Sequence, residues 1–283
     1  MVPGATRRGT RSTRFVGRRG RRASKSRGME LLARVGLAAR GVMYLIIGSL
    51  ALAIALGHGG HQADRSGALR LVARTSFGSA ALWLLVIGFS GMTLWRLSEA
   101  AYGAAGPDGR KTSTRLTALA RAVFYGFVVY TILKFALGVG APTSTNQQSR
   151  DLTATAMRLS VGRLIVAAIG LALLAGGAGL AYRALRKKFL EKLAFGRTRP
   201  AIRQAVARLG QIGGTARGAV FATAGIFLVV AAAQFQPSQA KGVDATLRAF
   251  AHTPLGPWLL ALVAAGLVMF GVYSFCETRW RQV

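Results

Sequence analysis

The sequence predicts an all-helical membrane protein. Its expected architecture is six transmembrane helices in three tandem hairpin repeats with approximate threefold pseudosymmetry. Three observations support this prediction: six long apolar runs, a strict separation of those runs from the basic residues, and a residue pattern that recurs three times along the chain.

The composition combines high hydrophobicity with a large excess of basic residues. Of 283 residues, 52% are hydrophobic, and 38 Lys and Arg stand against 8 Asp and Glu, for a formal net charge of +30. A soluble domain normally mixes charges of both signs on its surface. Nucleic-acid binding would explain the charge but not apolar runs of spanning length. We therefore expect the binding partners to be membrane lipids, especially their anionic headgroups, and a membrane protein, but not nucleic acid.

Six apolar runs are long enough to cross a bilayer. Each has roughly 16 to 20 residues, and a helix rising ~1.5 Å per residue then approaches the ~30 Å thickness of the hydrocarbon layer. Abundant glycine and alanine within the runs favour close helix packing, and hence a compact bundle over a wide pore. The runs cover residues 41–57, 80–95, 122–140, 164–182, 218–235 and 257–276.

The distribution of Lys and Arg predicts the orientation in the membrane. The segments on the side of the two termini hold 29 of these residues, the segments on the other side hold eight, and the remaining one is Lys134. Basic residues are retained on the cytoplasmic side. We therefore expect a multi-pass protein of the inner (plasma) membrane with both termini in the cytoplasm.

The first 28 residues differ from the rest of the chain. They hold ten Lys or Arg among Gly, Ser and Thr, and such a segment buries too little apolar surface to fold. We expect residues 1–28 to be a disordered basic arm, and whether Met29 is the true start stays open. Three repeats of two transmembrane helices follow, at residues 29–108, 109–200 and 201–283.

The repeat begins with Ala-Arg and a small residue, with an aromatic residue four positions after the Arg. The three arginines are Arg40, Arg121 and Arg217, and a glycine that announces the second helix follows them by 38, 41 and 39 residues. Glu99 and Glu277 occupy matching positions in the first and third units. In the second unit the alignment places Ala181 there.

These motifs, in triplicate over about residues 31 to 282, resemble the bacterial family known as domain of unknown function 1206. The resemblance implies a polytopic bacterial inner-membrane protein of three two-helix repeats. It implies no activity and brings no catalytic residues.

Two interpretations of the repeated arginines stay open. In the first, Arg40, Arg121 and Arg217 anchor the helices at the membrane interface, together with the neighbouring aromatic residues. In the second, they form a ring that pairs with Glu99 and Glu277 or holds an anionic headgroup. The two glutamates also have nearby basic residues for local ion pairs, Arg96 for the first and Arg279 for the second.

Two further candidates are polar residues away from this ring. Lys134 is the one charge within a predicted span, where it either is buried and functional or extends to the interface. His58, His61 and Asp64 could bind a metal in a glycine-rich turn, with His252 in a different repeat, but a solvated loop explains them better. We expect no metal and no cofactor, and the single Cys276 permits no disulfide within the chain.

The sequence does not predict a reaction. It contains no Ser-His-acid arrangement, no phosphate-binding glycine loop followed by Lys and no His-Glu-x-x-His helix. The leading hypothesis is a noncatalytic membrane scaffold, partner or lipid-interacting protein, and the alternative is a transporter or channel for a small solute. The structure can discriminate between these hypotheses where the three arginines converge. A filled, dry axis there would favour the scaffold.

Overall fold

A computed structural model describes residues 27–58, 62–104, 109, 111–196, 198–251 and 256–281. Within these ranges the chain forms nine α-helices and two short 3₁₀ helices. The α-helices are α1 (Arg27–Ala55), α2 (Arg65–Ala73), α3 (Gly78–Tyr102), α4 (Thr112–Ala136), α5 (Thr145–Met157), α6 (Gly162–Leu185), α7 (Pro200–Ala233), α8 (Val243–Ala251) and α9 (Gly256–Trp280).

Six of these helices, α1, α3, α4, α6, α7 and α9, are long and apolar enough to cross a membrane. The predicted all-helical class and the six helices of spanning length are thereby confirmed for the described residues. The second long helix of each repeat begins at the glycine that the repeat pattern marks. Residues 1–26 of the predicted basic arm lie outside the described residues, whereas Arg27 and Gly28 already belong to α1.

The helix bounds depart from the apolar runs at several ends. Helices α1 and α7 begin well before residues 41 and 218, because their first turns are helical but carry polar residues. Helix α4 ends at Ala136 rather than at residue 140. Gly138 and Gly140 follow it with positive φ angles of 72° and 85°, and this left-handed conformation ends the helix.

The short helices α2, α5 and α8 lie together at one end of the bundle, here called the capped end. Asp64 caps α2 by accepting a hydrogen bond from the Gly67 N–H at 3.0 Å. Ser144 caps α5 by accepting one from the Gln147 N–H at 3.1 Å. These side chains satisfy backbone donors that a helix start leaves free, so they stabilise the first turns of α2 and α5.

The long helices pack in the order α6, α7, α9, α1, α3, α4. The first hairpin is closed because α1 packs against α3, and the third because α7 packs against α9. Within the described residues, α4 and α6 form no comparable interface. The second hairpin is therefore open, and its two helices pack against the neighbouring repeats instead.

Glycines bring several helix backbones into direct contact. A Cβ on Gly177 of α6 would lie 2.3 Å from the Ala222 nitrogen of α7, and one on Gly218 would lie 2.6 Å from the Ala181 nitrogen. Between α1 and α9, a Cβ on Gly48 would lie 2.8 Å from the Val268 nitrogen. Small residues at helix crossings permit this approach, as the composition predicts.

Burial is uneven among the six long helices. In their most apolar stretches, 50% of the residues are buried in α3 and α9, but only 28% in α4 and 17% in α6. The two helices of the open hairpin are thus peripheral, and most of their apolar surface faces away from the protein.

Candidate functional site

The basic end of the bundle, opposite the capped end, carries an arginine cluster. We define this cluster as five arginines and two glutamates, namely Arg40, Arg96, Arg121, Arg217, Arg281, Glu99 and Glu277. Arg121 lies within electrostatic range of Arg96, Arg217 and Arg281. All three repeats contribute to the cluster because its members lie on α1, α3, α4 and α7 and at the end of α9.

Glu277 joins the first and third repeats. Its carboxylate is buried and accepts hydrogen bonds from Arg40 and from Arg281. The Arg40 Nε also donates to the Ser274 hydroxyl at 3.2 Å. The local ion pair of Glu277 is made by Arg281, directly after the end of α9, and not by Arg279, because residues four apart share a helix face whereas residues two apart do not.

Glu99 makes the local ion pair that the sequence suggests. Its carboxylate accepts a hydrogen bond from Arg96 at 2.5 Å. The Arg96 guanidinium lies 4.0 Å from the ring centroid of Trp95, and Arg281 lies 5.0 Å from the same ring. The Nε atoms of Arg96 and Arg281 are buried and have no hydrogen-bond partner among the residues that the structure describes.

Arg217 is held by aromatic rings. Its guanidinium lies 4.9 Å from the centroid of Phe270, 5.3 Å from Phe221 and 5.5 Å from Tyr44. Its Nε is buried and makes no hydrogen bond within the described part of the chain. Ring faces attract a cation but are much weaker hydrogen-bond acceptors for its N–H groups than oxygen atoms are.

The cluster has an excess of positive charge. Its five arginines and two glutamates leave a formal charge of plus three, and no carboxylate among the described residues pairs with Arg121 or Arg217. The pKa of the nearby Lys192 ammonium lies below its usual range. Burial is the largest cause, and the positive charges of Arg281 and Arg121 lower this pKa further. Such an arrangement favours an anion.

A cavity of about 340 Å³ lies on the axis between α1, α4 and α7. Arg40 and Arg217 border it at the basic end, and Arg65 and Gln148 border it at the capped end. Between these polar ends the walls are apolar or aromatic, with Met43, Tyr44, Ile47, Phe89, Val128, Val220, Phe221 and Leu267. The axis is therefore open where two of the three repeated arginines meet.

The cavity opens toward one side of the bundle. Phe124 and Phe127 on α4, and Leu152 on α5, line it and are also exposed, by 51%, 44% and 65%. Phe221 on α7 borders it from the other side, and no described residue of α6 lines it. The opening thus coincides with the open second hairpin.

The capped end is closed by hydrogen bonds between all three repeats. Asp64 is fully buried and accepts hydrogen bonds from the Thr145 N–H and hydroxyl, both at 2.8 Å. Asp244 accepts one from the Ala63 N–H at 2.8 Å and one from the Asn146 amide at 3.3 Å. Burial raises the pKa of Asp64, but the hydrogen bonds from Ser66, Gly67 and Thr145 outweigh it and hold that pKa below its ordinary value.

The remaining sequence candidates lie apart from the cavity. Lys134 is exposed in the last turn of α4, and its ammonium lies 5.7 Å from the Tyr130 ring. His58 is exposed, whereas His61 and His252 lie outside the described residues. Among the described residues no three potential metal ligands converge, and Asp64 is occupied by the hydrogen bonds of the capped end.

The structure corrects the alignment of the second repeat. Helices α3, α6 and α9 all begin at the marked glycine, and Glu99 and Glu277 each stand 21 residues after it. The same offset in α6 gives Arg183 and not Ala181. Gly170, which contacts Val229 of α7, stands eight residues after the first residue of α6 and is therefore not equivalent to Gly88 or Gly266, which stand ten residues after theirs.

Sequence reasoning missed Thr145 and Asn146, the residues through which the second repeat joins the other two. It also missed Arg65, whose guanidinium donates to Gln148 at 3.2 Å and lies 5.5 Å from the Phe127 ring. For Arg65, its place directly after Asp64, at the start of a short helix, was a weak sequence signal. Thr145 and Asn146 had none. Contacts between loops of different repeats leave no pattern in a single sequence.

The described geometry is accompanied by a family match. Three segments, residues 35–103, 116–187 and 212–281, match the family described as Domain of Unknown Function (DUF1206). The chain belongs to the DUF1206 family. Each DUF1206 segment covers most of the first long helix and all of the second long helix of one hairpin, so the resemblance stated from the repeat motifs is confirmed.

One further protein, similar in length to this chain, is also similar in sequence. It is the uncharacterized protein YxxB of Bacillus subtilis (strain 168), 26% identical over 252 residues, which cover 88% of this chain and 90% of that protein. No solved structure matches the chain significantly. For this DUF1206 protein, function is therefore argued from the site itself.

Proposed function

We propose that this DUF1206 protein is a noncatalytic, multi-pass protein of the bacterial plasma membrane that binds an anionic lipid headgroup at the arginine cluster. The observation that carries the proposal is the uncompensated charge of Arg121 and Arg217 inside an otherwise apolar bundle. Phosphate oxygens accept the charge-assisted hydrogen bonds that guanidinium groups offer.

Membrane insertion is supported by the outer surface of the helices. Large apolar side chains are exposed along them, and in a bilayer these would contact lipid tails instead of water. Examples from each repeat are Leu84, Val123, Leu164, Ile226 and Leu262. The 29 basic residues on the side of the termini support a cytoplasmic basic end, where anionic lipids attract Lys and Arg.

The threefold plan is part of the same proposal. Helices α1, α4 and α7 each present the repeated arginine at the basic end, and each is followed by a short helix at the capped end. This placement supports an approximate threefold axis that the second hairpin breaks locally. The cavity lined by α1, α4 and α7 supports such an axis.

A noncatalytic role is supported by the state of the acids in the cluster. Glu99 and Glu277 are both held in ion pairs, so neither is poised to exchange a proton with a substrate. A membrane-protein partner that uses the exposed faces of α4 and α6 is compatible with this role. Nucleic acid is disfavoured because the cluster is enclosed by helices and not spread over one exposed face.

The test is lipid retention by the purified chain. Native mass spectrometry of protein released from mixed phosphatidylglycerol and phosphatidylcholine nanodiscs should show preferential retention of phosphatidylglycerol. A double Arg121→Gln and Arg217→Gln variant should lower that preference about tenfold or more, since one charge-assisted hydrogen bond contributes ~1.5–3 kcal/mol.

The control is Arg279→Gln, an exposed arginine at the same end whose guanidinium lies 5.6 Å from the Trp280 ring. It removes one positive charge and should leave the preference unchanged. Equal retention of both lipids by the unmodified chain, or an equal loss in the control, would contradict the proposal.

Transport of a small solute stays a prediction. A flux assay in proteoliposomes with Lys134→Ala and Arg121→Ala tests it. Neither residue is among the described residues that line the cavity. The mostly apolar walls of the cavity favour an acyl chain over a polar solute.

A further inference from the structure

We propose that the anionic lipid is an internal guest: its headgroup sits at Arg217 and one acyl chain occupies the axial cavity, entering sideways through the open second hairpin. The inference rests on the proposed function and deepens it. An annular lipid would touch the arginines only from outside, whereas an internal guest is enclosed by α1, α4 and α7.

The cavity has the chemistry of an amphiphile site. At its basic end Arg217 offers a guanidinium with a buried Nε that no described residue accepts a hydrogen bond from. Above it, Ile47, Val128, Val220 and Leu267 present only hydrocarbon. A ligand that matches both parts needs an anionic group directly attached to an apolar chain.

Water alone fits this space poorly. An apolar wall gives a water molecule few of the two to four hydrogen bonds that buried water normally makes. Empty space of this size would forfeit the contacts that a packed interior provides. An acyl chain resolves both problems because it makes dispersion contacts and needs no polar partner.

The size of the cavity limits what enters. A volume of about 340 Å³ is at the small end of the ~300–1,000 Å³ range of ligand pockets. It therefore takes part of one chain and excludes a complete two-chain lipid. The second chain stays in the bilayer, and this requires a slot along one side of the bundle.

Such a slot exists between α4 and α7. Phe124 and Phe127 on α4 form one edge, Phe221 on α7 forms the other, and both α4 residues are about half exposed. The other hairpins are shut at the corresponding level. In the first, a Cβ on Gly88 would lie 2.6 Å from the Ala39 Cβ, and in the third, one on Gly266 would lie 2.4 Å from the Ala216 Cβ.

The second hairpin lacks this seal. Ala120 is the equivalent of Ala39 and Ala216, and it is exposed. Ala172, ten residues after Gly162 as Gly88 is after Gly78, is also exposed. Lateral entry from the membrane is thus built into one repeat of the three.

The far end of the cavity limits the depth of the chain. Arg65 donates to Gln148 and lies against the Phe127 ring, so these side chains close the cavity below the capped end. The guest is therefore bound with its headgroup at the basic end, where the uncompensated charge lies. A chain that passed through to the other side would have to displace this contact.

The direct test is photocrosslinking in the unmodified chain. Nanodiscs of phosphatidylcholine with a minor fraction of phosphatidylglycerol, carrying a diazirine in the middle of one acyl chain, are irradiated and the adducts are mapped by peptide sequencing. Adducts on the buried residues Val128, Val220 or Leu267 are expected. Adducts confined to exposed residues such as Val123 and Leu164 would overturn the internal guest.

A matched pair of variants on α4 adds a second readout. Val128→Trp fills the cavity and should reduce the retained phosphatidylglycerol at least tenfold, whereas Val123→Trp on the exposed face should not change it. The crosslinking result in the unmodified chain decides the matter if Val128→Trp fails to fold.

The two proposals fail in different ways. Retained phosphatidylglycerol with normal selectivity, but with surface adducts only and no effect of Val128→Trp, overturns the internal guest and leaves headgroup binding intact. No selectivity for phosphatidylglycerol in the unmodified chain overturns both. Cavity adducts from a photoreactive free fatty acid, with none from the phospholipid, overturn the choice of a membrane phospholipid as guest.

Discussion

The second hairpin differs from the first and the third although all three follow the same sequence pattern. In the closed hairpins, the alanine of the Ala-Arg motif packs onto a glycine of the second helix, with Gly88 and Gly266 receiving Ala39 and Ala216. In the second hairpin Ala120 is exposed and α6 packs tightly on α7 of the next repeat. A repeat can therefore keep its helices and lose its internal interface, provided that each helix finds another neighbour.

The charges follow the same division. The position 21 residues into the second helix is glutamate in the closed hairpins and Arg183 in the open one. Glu99 and Glu277 neutralise arginines at the basic end, whereas Arg183 is exposed and adds positive charge. The open hairpin thus combines access to the cavity with a surplus of cations.

The largest effect on stability is expected from Glu277→Gln, which removes the buried carboxylate of a closed hairpin. The substitution leaves Arg40 buried without a counter-charge, and breaking a buried ion pair on one side costs about 3–5 kcal/mol. We expect a markedly lower thermal midpoint in detergent, followed by the fluorescence of the tryptophans.

Its matched control is Arg183→Gln, at the equivalent position of the open hairpin. This side chain is exposed, so the midpoint should change by less than the equivalent of about 0.5 kcal/mol. Similar losses in the two variants would show that the repeats are not organised differently at this position.

An intermediate effect is expected from Gly177→Leu, which acts on the face of α6 that packs against α7. A Cβ there would meet the Ala222 nitrogen at 2.3 Å, so the helices must separate, and overpacking of this kind costs about 1–3 kcal/mol. Thermal unfolding in detergent measures the loss.

The adjacent glycine supplies the control. A Cβ on Gly176 has no neighbour within 4 Å, because this position faces away from α7. Gly176→Leu should therefore be tolerated without a loss of stability. A loss as large as that of Gly177→Leu would mean that a partner covers the outer face of α6.

Much of the fold follows from local sequence signals. The glycines that open α3, α6 and α9 and the repeated arginines of α1, α4 and α7 were found because their spacing recurs. The pairing of Glu99 with Arg96 follows from their separation of three residues on one helix. Interactions within one helix or one repeat are encoded by spacing, and a single sequence displays spacing directly.

The rest depends on which repeats meet in space. The buried pair of Arg40 and Glu277 joins residues far apart in the chain, and the aromatic cage of Arg217 takes Phe270 from another helix. The open second hairpin has a sequence signal in Ala172, where the closed hairpins have glycine. That signal is recognised only when α6 is aligned with α3 and α9 on the first glycine of each helix.

The smallest effect is expected from Asp64→Asn at the capped end, where the second repeat is joined to the first. Asparagine keeps the helix cap but presents an amide donor to Thr145, so the loss of stability should be on the order of 1 kcal/mol at neutral pH.

The pKa of Asp64 lies below its ordinary value of ~3.9, so the stabilisation by its carboxylate is present above that pH and is lost as the pH falls through the folded-state pKa. The difference in thermal midpoint between the unmodified chain and the variant should therefore shrink as the pH is lowered from 6 to about 3. Asp151→Asn, at an exposed acid of the second repeat that among the described residues accepts a hydrogen bond from Gln147, should show no such difference. A pH-independent difference for Asp64→Asn would mean that the carboxylate charge does not hold the open repeat in place.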